Sequence, residues 1–351
     1  MEARKVQTPY HGHFELTPLC NLDCKMCYVH LTSEQMNGQR LLPVETWKRL
    51  MQDAIDAGMT TANLSGGECL TYPGFDELYL FLKSKGIRTG VLTNGILLDE
   101  ERIEFFKRNM PFKLQVTLYG SSDEVYTQVT GKPMFSTVIR NVQLAKAAKL
   151  PLRLSITPSR YIRDDLQNII RLCRELDVPY SINPDLTPPR KNTGRAEQEH
   201  DMSIDEYVEI LKFDRSLRGD ALEEREISEL PPIDYGCKEW SNSGLRCGSG
   251  KSGFSIGWNG AMHPCAMLTS IEAYPLTDGF QSSWKEISSR MAAYPSFKRC
   301  DNCQYKKACL FCAATNEEMG SSTELNDLWC KRAYKMVASG LRSIELPDDC
   351  I

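Results

Sequence analysis

From Pro43 to Asn183, short apolar runs alternate with segments whose apolar residues recur at helical spacing. This rhythm confines the chain to folds in which helices join parallel strands. Trp47, Leu50, Met51, Ala54 and Ile55 predict a helix over 43–57, with Gly58 as its stop. Thr60 to Ser65 reads as a strand ending in Gly66-Gly67, followed by a helix over 75–85 closed by Gly86. The same alternation predicts strands over 88–93, 113–118, 152–157 and 180–183, and helices over 98–108, 134–148 and 164–176. With His13 to Thr17 as the first strand, there are six β/α units. Periodicity leaves an open doubly wound sheet and a barrel as alternatives.

The loop after the first strand reads Cys20-Asn21-Leu22-Asp23-Cys24-Lys25-Met26-Cys27. Three thiols on a tight loop can hold three irons of a cubane and leave the fourth without a protein ligand. A zinc loop is the alternative, because cysteines two residues apart also suit a tetrahedral ion. His30 is then the nearby candidate for a fourth ligand. No apolar stretch follows Met1-Glu2-Ala3-Arg4-Lys5, and no run reaches the roughly 18 apolar residues that span a bilayer. A soluble, cytoplasmic protein is expected, with no membrane partner. Reducing compartments disfavour disulfides, so fourteen cysteines point to metal or redox sites. A net charge of −4 without long blocks of like charge argues against nucleic acid as a partner.

C-x3-C-x2-C, as in Cys20, Cys24 and Cys27, resembles the signature of the radical S-adenosylmethionine (SAM) superfamily. The resemblance implies a partial (β/α)6 TIM-like barrel with the cluster loop after the first strand. It also implies SAM chelated to the open iron and reductive formation of a 5′-deoxyadenosyl radical. In parallel barrels, sites are built at the C-terminal strand ends. There Ser65-Gly66-Gly67-Glu68 resembles the family's GGE motif, which implies that Glu68 receives the SAM amino group. Paired glycines let a backbone come close where a Cβ would clash. Cys69 stands where the family usually has proline, which makes it a candidate hydrogen donor or substrate contact, against the plainer role of a core residue. Further strand ends offer Thr93-Asn94-Gly95, Thr117-Leu118-Tyr119-Gly120 and Ser155-Ile156-Thr157, with Thr117 and Ser155 as candidate SAM contacts. The family prefers an aromatic before the third cysteine; here Met26 precedes it and Tyr28 follows, and both are candidates for the cofactor pocket.

The pattern loosens over 185–235, around Pro188-Pro189 and a charged helix near 203–216. Cysteines then return: Cys247, Gly260 and Cys265, followed by Cys300, Cys303, Cys309, Cys312 and Cys330. This run resembles the SPASM extension of radical SAM peptide-modifying enzymes, with two residues instead of three between Cys309 and Cys312. The resemblance implies two auxiliary [4Fe–4S] clusters, three clusters in all. Cys300, Cys303, Cys309 and Cys330 would bind the outer one; Cys247, Cys265 and Cys312 would bind the inner one, with Cys237 the nearest candidate for its eighth thiol. Zinc ribbons are the alternative. Cys173 sits among apolar helix residues and Cys350 next to the C-terminus. The expected division is a barrel over 1–220, a bridge over 221–246 and a cysteine-rich SPASM domain over 247–351.

The resemblance implies oxidative modification of a peptide, of the thioether or carbon–carbon crosslink type, with auxiliary clusters accepting the second electron. An electron donor such as flavodoxin or ferredoxin is implied as a partner. Only nineteen residues precede Cys20, so the expectation is that a separate recognition protein presents the peptide, or that the substrate is short or leaderless. The alternatives are formylglycine-forming sulfatase maturation, weakened by Ala266 where those enzymes have Asp, peptide epimerisation, small-molecule dehydrogenation, and a zinc-stabilised scaffold without catalysis.

Overall fold

A computed structural model of the chain describes residues 7–183, 202–220, 222, 224, 230, 240–241, 247–318 and 325–343. In chain order the elements are β1 (His11–Glu15), α1 (Val44–Asp56), β2 (Thr61–Ser65), α2 (Phe75–Ser84), β3 (Arg88–Thr93), α3 (Glu100–Arg108), β4 (Lys113–Leu118), α4 (Asp123–Thr130) and α5 (Phe135–Ala147). They continue with β5 (Leu152–Ile156), α6 (Leu166–Glu175), β6 (Tyr180–Ile182), α7 (Ile204–Arg218), β7 (Trp240–Ser241), β8 (Gly253–Ile256) and β9 (Met262–His263). The last are α8 (Pro275–Asp278), α9 (Phe280–Ala292), β10 (Ser296–Phe297), α10 (Lys298–Asp301), α11 (Ala313–Glu318) and α12 (Leu328–Ala338).

The main sheet has the order β6-β5-β4-β3-β2-β1-β8-β9. Pairing is parallel from β6 through β1 to β8, and only β9 runs antiparallel. A doubly wound sheet reverses its strand order at a switch point. Here the order from β1 to β6 is unbroken, as in a barrel wound in one direction. The expected partial barrel is therefore the fold. The six strands and their helices fall where the periodicity places them, except that β1 begins at His11 and ends at Glu15, two residues before the expected His13 to Thr17. α4 is an addition, although its signals are plain: Ser122 caps its N-terminus by accepting the Val125 N–H, Asp123 and Glu124 occupy the first turn, and Gly131 (φ +77°) ends it.

Strand alternation turns Phe14, Leu64, Val91, Leu114, Val116 and Leu154 toward the helical layer, where all are fully buried. Trp47, Leu50 and Met51 of α1 are fully buried as well, with Phe14 edge-on to Trp47 at 6.2 Å between ring centres. Each such side chain contributes roughly 1.5–3 kcal/mol. α6 buries Ile169, Ile170 and Cys173, the core placement expected for Cys173.

Contacts divide the chain into two units that interleave along the sequence: 1–200 with 247–292, and 201–246 with 293–351. This departs from the expected linear division into 1–220, 221–246 and 247–351. The physical reason is β8, which pairs with β1 from His11↔Gly253 to Phe14↔Ile256 and places Phe254 edge-on to Phe14, Phe280 and Trp284. Segment 247–292 is thereby built into the sheet unit. In the second unit α7 packs with α12, joined by the Lys335–Asp205 ion pair. The core of that unit gathers Leu230, Tyr305, Ala308, Ala333 and Val337.

Candidate functional site

The loop carrying Cys20, Cys24 and Cys27 is fastened from two sides. On one side the β1–β2 ladder continues past the strand ends: Leu16 N–H donates to Ser65 O (2.9 Å), Gly67 N–H to Thr17 O (2.7 Å) and Glu68 N–H to Leu19 O (3.0 Å). On the other, the loop uses carbonyls left unpaired at the end of α4. Asp23 N–H donates to Thr130 O (3.0 Å) and Lys25 N–H to Val129 O (2.9 Å). The Lys25 ammonium lies 5.1 Å from the Tyr161 ring centre. His30 sets its Nδ1 3.4 Å from Asp23 Oδ1, while its main-chain N–H donates to Cys27 Sγ (3.2 Å).

The sulfurs sit in surroundings suited to thiolates once a cation is present. Leu22 N–H donates to Cys20 Sγ (3.4 Å), and the Asn94 amide lies 3.7 Å from the same sulfur. Burial nevertheless pushes the Cys20 thiol up to about 12, with the nearby Glu68 and Cys27 acting in the same direction. Burial, then Cys24, Cys20 and Cys27 in turn, push the Tyr119 hydroxyl well above its ordinary range, so one side chain at the end of β4 feels all three sulfurs. Three crowded thiols with N–H donors aimed at them suit a multi-iron group, whose positive charge offsets the burial.

Glu68 is the centre of the polar network beneath the loop. It is 1% exposed; its Oε1 accepts from Leu70 N–H (3.0 Å) and Thr93 Oγ1 (2.8 Å), and its Oε2 accepts from Asn94 N–H (2.7 Å). Burial raises its carboxyl, while these donors pull it back down. The glycines before it are required by protein backbone. A Cβ at Gly66 would lie 2.4 Å from Thr17 O, and one at Gly67 2.4 Å from Leu19 O.

The other residues expected at the site differ in their exposure and partners. Ser65 ends β2 and is buried, Met26 is buried, and Tyr28 and Thr117 are half-buried. Ser155 is buried and its hydroxyl accepts from Asn183 Nδ2 (2.8 Å). Cys69 has no exposed surface; its thiol donates to Leu92 O (3.2 Å), and burial followed by Glu68 holds its pKa well above the usual value. That geometry favours the core role. Asn94 and the α4 carbonyls are the contacts that spacing alone did not single out.

A second group of thiols lies in the second unit. Burial pushes Cys300 up to about 12, and Cys330, Cys309 and Cys303 add to it in that order. Cys330 is pushed up to about 11 by burial and feels Cys309 and Cys303 in turn. These four are the set expected for the outer cluster. Among the described residues no three His, Cys, Asp or Glu side chains converge as a single ion requires; in a cubane each thiol meets its own iron, so convergence on one point is not needed. Cys247 and Cys265 lie in the first unit, Leu268 N–H donating to Cys265 Sγ (3.3 Å), and Cys312 lies in the second. Cys237 and Cys350 lie outside the described residues. No described helix is long and apolar enough to cross a membrane.

Residues 14–180 match the Radical SAM superfamily. The AdoMet-dependent heme synthase of Methanosarcina barkeri is 25% identical to the chain, covering 86% of it and 90% of the relative. The Bacillus subtilis antilisterial bacteriocin subtilosin biosynthesis protein AlbA is 24% identical over 80% of the chain, which spans 59% of that protein. Among solved structures, Streptococcus suis SuiB bound to precursor peptide SuiA superposes with a TM-score of 0.69 at 14% identity, covering 92% of this chain and 76% of SuiB.

Proposed function

Because this chain carries a radical SAM domain over residues 14–180, we propose that it is an oxidative peptide-modifying enzyme whose product is a crosslinked or dehydrogenated peptide. The observation carrying the proposal is the cysteine loop, braced at the carboxyl ends of the parallel strands with N–H groups aimed at its sulfurs. Cys20, Cys24 and Cys27 would hold a [4Fe–4S] cluster. With SAM bound there, the site would supply 5′-deoxyadenosyl radical chemistry for hydrogen abstraction from a substrate carbon.

The chain's own residues position and shield that chemistry. Gly66, Gly67 and the α4 carbonyls brace the loop from the β2 turn and from the end of α4. Glu68 keeps the β2 and β3 ends together, and Ser65, Thr117, Ser155, Met26 and Tyr28 are proposed to line the SAM pocket. Closing a substrate carbon radical to a bond requires loss of one more electron. The four-thiol group at Cys300, Cys303, Cys309 and Cys330 is proposed to hold a second cluster for that purpose, and Cys247, Cys265, Cys312 and Cys237 a third. An external electron carrier of the flavodoxin or ferredoxin type would supply the initiating electron.

Kinship with subtilosin maturation and a peptide-bound structure of the same fold support the peptide class. The heme synthase, most of whose length this chain spans, favours a second reading as a small-molecule oxidoreductase. The test uses anaerobically reconstituted protein with SAM and dithionite. 5′-Deoxyadenosine should form, and should not form in the Cys20→Ala/Cys24→Ala/Cys27→Ala variant; equal formation by that variant would defeat the assignment. Incubation with a peptide encoded beside the gene should give a product two hydrogens lighter by mass spectrometry. Turnover of a tetrapyrrole instead would select the second reading.

A further inference from the structure

We infer that Asn94 is a positioning residue that sets the reduction potential of the first cluster through an amide N–H directed at the Cys20 sulfur; this rests on Cys20, Cys24 and Cys27 being the ligands. Asn94 is 5% exposed, and the structure commits each of its polar side-chain atoms. Its Oδ1 accepts from Ile96 N–H (3.1 Å). Its Nδ2 donates to Asn21 Oδ1 (2.6 Å) and lies 3.7 Å from Cys20 Sγ, so the two amide hydrogens are shared between the loop and its first thiol.

The turn that presents this amide has little freedom to swing away. Glu68 Oε2 accepts the Asn94 main-chain N–H at 2.7 Å, and Thr93 Oγ1, itself bound to Glu68 Oε1, accepts the Gly95 N–H at 3.1 Å. From the helical side, Asn141 of α5, 2% exposed, donates to the carbonyls of Gly95 (2.9 Å) and Ile96 (3.0 Å). Gly95 takes φ +83°, which lets the chain reverse between these two clamps. Glu68 thus acts on the cysteine loop through Asn94, a role separate from any contact with SAM.

Reduction places additional negative charge on a cluster and its sulfurs. An N–H donor aimed at a ligand sulfur stabilises the reduced state more than the oxidised one and raises the potential. Removing the donor lowers it. A group that only filled space would leave the potential where it was.

The experiment compares the full-length chain with Asn94→Leu, close in shape but without the amide, and Asn94→Asp, which replaces the donor with an acceptor. After reconstitution, iron and sulfide are counted, and the cluster is titrated by EPR using the signal that changes when SAM is added, which distinguishes it from any auxiliary cluster. The expected result is full iron content with a more negative potential in Asn94→Leu and a further negative shift in Asn94→Asp. Unchanged potentials in two loaded variants would overturn the inference. So would loss of the SAM-responsive cluster from both, which would make Asn94 an assembly residue. A wild-type protein with no SAM-responsive cluster would instead refute the ligand assignment beneath it.

Discussion

Gly66 passes so close to Thr17 that a Cβ built on it would stand 2.4 Å from the Thr17 carbonyl oxygen. The contact ties the turn after β2 to the chain entering the cysteine loop, and the N–H donated by Gly67 to the same carbonyl reinforces it. Neither partner is a flexible side-chain end, so a methyl group there forces backbone to move.

Gly66→Ala and Gly67→Ala should therefore damage the proposed cluster site as well as overall stability. The expected loss is about 1–3 kcal/mol each, larger for Gly66 because its φ of +142° also disfavours a side chain. Thermal unfolding and iron content after reconstitution check this, and both should fall together.

The loop's other brace is the end of α4, where Gly131 at φ +77° lets Val129 and Thr130 point carbonyls at Lys25 and Asp23. Gly131→Ala should cost about 1–2 kcal/mol and speed iron loss to a chelator from the cluster proposed at the Cys20 loop. Gly219→Ala is the control: it ends α7 at φ +75° in the other unit. A similar stability loss is expected there, without faster iron loss from the cluster proposed at the Cys20 loop.

His11 lies in β1 with its Nε2 3.1 Å from Asn63 Nδ2. Burial, then the charge of Lys113, lower its pKa below the usual 6.5. The folded state thus binds this proton less readily than the unfolded one. Its contribution to stability is fully present above about pH 6.5 and is lost as pH falls through the depressed folded value. Unfolding midpoints measured from pH 8 down to about pH 5 should fall more steeply in wild type than in His11→Gln.

Cys69, fully buried and donating to the Leu92 carbonyl, stays protonated. Cys69→Ser preserves a donor to that carbonyl and should cost roughly 1 kcal/mol while leaving 5′-deoxyadenosine formation within about twofold of wild type. Loss of substrate turnover with normal 5′-deoxyadenosine formation would instead assign the thiol to hydrogen donation or substrate contact.

Much of this arrangement is legible in order along the chain. Trp47, Leu50, Met51 and Ala54 announce α1, and the run from Lys113 to Leu118 alternates as β4 does, because burial of one face imposes its period on contiguous residues. Cys20, Cys24 and Cys27 are equally local, since their spacing alone fits one loop. α4 was also written locally, in Ser122, Asp123 and Gly131, but its short length lets it pass for a connection.

What contiguous pattern determines here is the strand–helix alternation, the cysteine loop and the groups of later thiols. Only the tertiary structure decided that Gly253–Ile256 joins β1, that the two units interleave, and that the buried Glu68 carboxylate reaches Cys20 by way of Asn94. The first set follows from which face of a local segment must leave water. The second follows from hydrogen-bond donors and acceptors far apart in sequence, whose pairing is chosen only when the sheet has formed and each buried group must find a partner.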